Sequence, residues 1–201
     1  MAYDSFSGAR MRHWLLAIVA SFTGMLAMAA QRPALKAGVF EPPAAAPGFS
    51  LPASTGGQQA LANYREKVVL LGFGFTMCPE VCPTTLAVLA QARKRLGTQA
   101  DQVQVLYVTV DPERDSAERM RAYLRGFDPT FVGLTGAPDE LAIVRAQYGV
   151  EAERKNIGNS YSVAHSSSIY LIDRKGMLRA MMPYGRTPDD YVHDVRLLLN
   201  E

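Results

Sequence analysis

The chain holds two cysteines among its 201 residues, and both fall in the run FGFTMCPEVCPTTL, residues 73–86, each followed by a proline. Two thiols this close serve three chemistries: a structural disulfide, a dithiol that exchanges with other disulfides, or a pair of soft donors for a metal ion. The spacing leaves all three open. A staple is the weakest of them, because closing so short a loop takes little entropy from the unfolded chain. A third donor narrows the choice. His13 lies in a cationic leading segment, and His193 stands beside Asp194 on a helical stretch where a cap or a solvated face accounts for it. His165, in YSVAHSSSIYLID, immediately precedes a strand-like run. Two thiolates and one imidazole make a soft, low-coordinate set suited to Cu(I), whereas a closed zinc site takes a fourth strong ligand.

The elements around these residues follow from pattern. The run KVVLLGFGF, 67–75, is almost continuously apolar, as in a strand buried on both faces, and it delivers the chain to Cys78. Proline is tolerated in the first turn of a helix, so a helix should begin at about Pro83, with Leu86, Leu89 and Ala90 on its apolar face. Cys82 then sits near a helix N-terminus, where partial positive charge favours thiolate, and it is expected to be the more acidic thiol. A second buried strand, VQVLYVTV at 103–110, leads into DPERD and a helix with Asp115 as its N-cap and Glu118 three residues on. A short strand at 130–134, a helix from Pro138 to about Tyr148, and a hairpin of SSIYLID and GMLRAMM around RKG come next. The last helix is capped by Thr187, with Pro188 at N1 and Asp190 at N3, and runs to Leu199. Strands alternating with helices and closing in a hairpin plus helix predict an α/β thioredoxin-like sandwich, a central mixed β-sheet flanked by helices. His165 then lies on the loop facing the cysteines, where thioredoxin-type oxidoreductases place a cis-proline. No proline occurs between Pro138 and Pro183.

The rest of the chain bounds the setting. Arg10 and Arg12 precede an uncharged stretch at 14–30, WLLAIVASFTGMLAMAA, about 25 Å long as a helix and so slightly short of a bilayer core of roughly 30 Å. It reads as a transmembrane anchor, with a cleaved signal as the alternative because Ala27 and Ala29 offer an A-x-A site. The organisation expected is a short cytoplasmic segment at 1–13, the anchor or signal at 14–30, an Ala/Pro-rich tether at 31–48, and the working domain at 49–201, outside the cytoplasm. A formal charge of +2 with no Lys/Arg cluster gives no nucleic-acid groove.

With FGFTMCPEVCPTTL, VTVDPERD, FVGLTG and AHSSSIYLID in place, the sequence resembles the Sco (SenC/PrrC) family, which assists copper insertion into the binuclear centre of cytochrome c oxidase. The resemblance implies that Cys78, Cys82 and His165 bind copper as Cu(I), with Cu(II) a second state of the same site. It implies a metallochaperone rather than an enzyme, a monomer whose partners are an upstream copper donor and the copper-receiving oxidase subunit. The alternative is a thiol:disulfide reductase that keeps the oxidase's copper-ligand cysteines reduced through Cys78 and Cys82. Two positions depart from many relatives: Ala164 stands where they carry Asp before the histidine, and Met77 where they carry His before the first cysteine. Met77 is read as packing or as a weak thioether ligand, and Asp111 and Asp115 as turn and cap residues, with contact to the metal site or to a partner as the alternative.

Overall fold

In the computed structural model, residues 34–201 are described; the apolar run at 14–30 and His13 lie outside the described residues. Among the described residues no helix is long and apolar enough to cross a membrane. The strands in chain order are β1 (Gly38–Ala45), β2 (Ser50–Pro52), β3 (Gln58–Ala60), β4 (Val68–Gly74), β5 (Val103–Thr109), β6 (Val132–Leu134), β7 (Ala152–Ile157), β8 (Ser160–His165), β9 (Ile169–Ile172) and β10 (Met177–Met182). The helices are α1 (Val81–Leu96), α2 (Ala117–Arg125), α3 (Pro138–Gln147) and α4 (Pro188–Leu199).

Six strands form one mixed sheet in the order β1-β10-β9-β4-β5-β6. β4, β5 and β6 run parallel, while β9 is antiparallel to β4, β10 to β9 and β1 to β10. Every residue of β4 and β5 is buried, as their unbroken apolar runs require of central strands covered on both faces. This is the thioredoxin-like sandwich expected from the alternation of elements. The hairpin β9–β10 and the capping box of Thr187 and Asp190 on α4 also stand where the sequence puts them.

Four local features differ from the sequence reading. Gly38–Ala45, placed in the tether, is a strand at the sheet edge, and the compact unit begins at Leu35 rather than at 49. Its prolines and its register shift between Val39 and Ala44 suit an edge, where a missing N–H costs no ladder bond, and they erase the alternation that would have marked it. α1 begins at Val81, two residues before Pro83, which still falls in the first turn. α2 is capped by Ser116, whose hydroxyl accepts from the Arg119 amide, leaving Asp115 outside the helix. His165 ends a strand, β8, of a separate two-stranded hairpin with β7.

Candidate metal centre

β4 ends at Gly74, and the chain turns through Phe75 to Glu80 before α1. The Cys78 amide donates to the Phe75 carbonyl at 3.3 Å, which closes this turn. The Cys78 sulfur accepts from the Cys82 amide at 3.4 Å, so the first cysteine caps the helix that carries the second. Cys78 is partly exposed, Cys82 is 2% exposed, and both are free thiols.

His165 reaches the same point from the opposite side. Its Nε2 lies 3.6 Å from the Cys82 sulfur, and its Nδ1 is 2.8 Å from the Ser166 carbonyl. A carbonyl only accepts, so Nδ1 carries the proton and Nε2 presents its lone pair to the thiol. Phe75 sets an edge against the imidazole, with ring centroids 5.9 Å apart and planes at 79°. Burial lowers the His165 pKa, outweighing the Ser166 carbonyl that raises it, and the ring is held neutral.

Cys82 departs from expectation. Burial pushes its thiol up to about 12, against hydrogen bonds from the Tyr107 hydroxyl and the Phe75 amide that pull it down. Although Cys82 is the second residue of α1, the helix terminus offsets less than the loss of water around a side chain enclosed by Phe73, Tyr107 and Ile169. At neutral pH this thiol keeps its proton, and its sulfur lies 3.6 Å from the unprotonated His165 Nε2.

The two aspartates of DPERD, Asp111 and Asp115, hold the halves of this site together without entering it. Asp115, fully buried, accepts from the Thr76 amide at 3.0 Å, the Thr76 hydroxyl at 2.6 Å and the Thr109 hydroxyl at 2.8 Å, which fixes the loop that presents Cys78. Asp111 accepts from the Tyr161 hydroxyl at 2.8 Å and pairs with Arg114. Arg114 in turn donates to the Tyr161 carbonyl at 3.0 Å. The guanidinium carbons of Arg114 and Arg154 stand 3.8 and 3.5 Å from the Tyr161 ring centre, distances that put them on opposite faces of the ring. This cluster fastens the β7–β8 hairpin, and with it His165, to the turn after β5. Turn chemistry was legible for Asp111 and Asp115, but their reach across 50 and 39 residues of chain, to Tyr161 and Thr76, was not.

Met77 is 51% exposed, which removes the packing role, and its sulfur accepts from Arg119 at 2.8 Å. Ala164 is exposed beside His165 and offers no donor. His193 Nδ1 donates to the Asp194 carboxylate at 2.8 Å on α4, as a structural partner.

The donor set meets the demands of a soft monovalent ion: two sulfurs and a neutral nitrogen with its lone pair turned inward. With metal–sulfur and metal–nitrogen bonds of zinc-like length, donors at trigonal angles would stand roughly 3.8 Å apart, close to the observed 3.6 Å between Cys82 and His165. Among the described residues no three His, Cys, Asp or Glu side chains form a preassembled metal-holding group. Cys82 and His165 face each other at 3.6 Å, and the Cys78 sulfur is held next to them by its bond from the Cys82 amide.

A thioredoxin-like domain whose cysteine loop faces a histidine instead of a cis-proline defines a metal-binding variant of that fold. The SCO1/SenC family profile matches residues 40–200, and the chain belongs to this family. Protein SCO2 homolog, mitochondrial, of Mus musculus is 36% identical over 152 residues, covering 74% of this chain and 60% of that protein. The chain therefore spans about three-fifths of this relative's length. Among solved structures, Bradyrhizobium japonicum ScoI with copper bound is 35% identical at a TM-score of 0.72, covering 78% of this chain and all of that one. Yeast Sco1 with copper bound is 28% identical at a TM-score of 0.71, covering 79% and 90%.

Proposed function

We propose that this protein binds copper through Cys78, Cys82 and His165 and delivers it to a copper-receiving subunit of cytochrome c oxidase. The observation that carries the reading is the approach of the Cys82 thiol to the unprotonated nitrogen of His165, 3.6 Å. A copper ion can take the place of the Cys82 thiol proton between the two donors. Loading exchanges Cu(I) for the thiol protons and leaves two thiolates and a neutral imidazole on the metal. Cys78, the less buried of the two, is the sulfur an incoming thiol ligand can reach first, so ligand exchange with a receiving protein starts there. Copper bound in the Bradyrhizobium and yeast relatives supports the choice of metal.

The rival reading, a thiol:disulfide reductase using the same cysteine pair, finds less support. Exchange runs through thiolate, and burial holds Cys82 almost wholly as thiol. The place of the cis-proline that shapes an oxidoreductase groove is taken by His165 and three serines.

Titration of the reduced protein with Cu(I) against a competing chelator tests the proposal. One tightly bound copper per chain is expected, with affinity lowered at least tenfold by His165→Ala and tight binding lost in Cys78→Ser or Cys82→Ser. Copper affinity untouched by His165→Ala would sink the three-donor site, and ready reduction of a target disulfide without copper binding would favour the reductase.

A further inference from the structure

Tyr107 lies at the centre of β5, 1% exposed, among residues for which packing alone is enough. A buried phenol needs a partner for its hydroxyl. Two other buried tyrosines find backbone carbonyls: Tyr148 donates to Pro47 at 2.8 Å and Tyr170 to Tyr148 at 2.6 Å. The Tyr107 hydroxyl instead faces the sulfur of Cys82, both atoms crowding the point where a Cβ on Gly74 would stand. Gly74, on the neighbouring strand in parallel pairing with Thr109, provides the space. A Cβ at position 74 would overlap the Tyr107 hydroxyl outright and stand 2.6 Å from its ring carbon Cζ and 2.8 Å from the Cys82 sulfur. The cavity at this point is lined by Cys82, Tyr107, His165 and Ser167 among others, so hydroxyl, thiol and imidazole share one enclosure. A phenylalanine would fill the strand equally well. The extra oxygen therefore serves the sulfur.

We propose that Tyr107, seated in the space left by Gly74, is a positioning residue of the copper site whose hydroxyl donates to the Cys82 sulfur and biases the bound metal toward Cu(I). The inference rests on the copper reading above. A hydrogen bond to a thiolate draws electron density from the sulfur and weakens its donation to the metal. Cu(II) depends on that donation more than Cu(I), so such bonds raise the copper potential. The bond also keeps the Cys82 sulfur turned toward His165, because the phenol is fixed by the sheet on both sides.

The test compares wild type, Tyr107→Phe and Tyr123→Phe. Tyr123 carries a buried hydroxyl without a partner, and its loss controls for removal of an oxygen from this neighbourhood. In copper-loaded Tyr107→Phe the ratio of Cu(I) to Cu(II) affinity should fall about tenfold, the lower end for a hydrogen bond to a charged group. The sulfur-to-Cu(II) charge-transfer band should move to lower energy, and in the metal-free protein the infrared S–H band of Cys82 should shift. Tyr123→Phe should change none of these. If wild-type protein binds no copper, the copper reading falls and the tuning with it. If Tyr107→Phe binds one copper with the wild-type potential, charge-transfer energy and S–H band, the tuning alone is overturned.

Discussion

At the scale of single residues, the chemistry of the site is set by which protons are present. Cys82, raised to about 12 by burial, is a thiol at any physiological pH, while burial keeps His165 neutral below the ordinary histidine range. Copper must therefore displace at least one proton, and the apparent Cu(I) affinity should rise about tenfold per pH unit above pH 6.5 for each proton released. As pH falls, protonation of His165 adds a competitor only once the pH passes below its lowered pKa, so the slope steepens there and not at the ordinary value near 6.5. Chelator competition from pH 5 to 8, with calorimetry in buffers of different ionisation enthalpy to count protons, checks both parts. An affinity independent of pH would contradict the thiol state of Cys82. The residue types at positions 78, 82 and 165, and that they could meet, were legible in the sequence. Their protonation was not, because it depends on enclosure by Tyr107 and Ile169, residues 25 and 87 positions beyond Cys82. A helix terminus can be read locally, whereas loss of water cannot.

At the scale of elements, the five residues DPERD act as a brace between two pieces that each carry part of the site. Asp115 holds the cysteine loop, and Asp111 with Arg114 holds the β7–β8 hairpin. Arg114→Lys keeps a positive charge beside Asp111 but loses the planar fork that bonds the Tyr161 carbonyl while stacking on its ring. Copper affinity should fall about 10-fold, in the range seen when partners of metal ligands are changed. Amide exchange should quicken in Ala152–Ile157 and Ser160–His165 while β4 and β5 stay protected; unchanged hairpin exchange would show that Arg114 does not brace it. This hairpin escaped the sequence reading because its residues are mostly polar and exposed, so neither strand carries an apolar alternation. Its one signal was Gly158-Asn159, a two-residue turn with Gly158 at φ 57° between the paired Ile157 and Ser160. The central strands were legible for the opposite reason, since burial on both faces leaves an uninterrupted apolar run.

At the scale of the whole domain, the site lies over the middle of the sheet while the chain enters at its edge, and the two are held by separate means. β1 covers β10, which would otherwise present an open edge. The entry is clamped by Asp194 on α4, a fully buried carboxylate that accepts from the Lys36 amide at 2.8 Å and the Ala37 amide at 2.9 Å. No local pattern marks this role: Asp194 sits mid-helix beside His193, and its partners lie 158 and 157 positions away. Asp194→Ala would strand two amide donors, at a cost of about 2–4 kcal/mol, a large share of the roughly 5–15 kcal/mol that holds an ordinary domain together. The Tm should fall by about 5–15 °C. Exchange should become fast in Gly38–Ala45 and Met177–Met182, and the variant should aggregate more readily through the uncovered strand. Copper affinity should stay near wild type, because β4, β5 and the DPERD brace do not touch this edge. Loss of copper binding in step with loss of β1 protection would mean instead that the edge and the site form one cooperative unit.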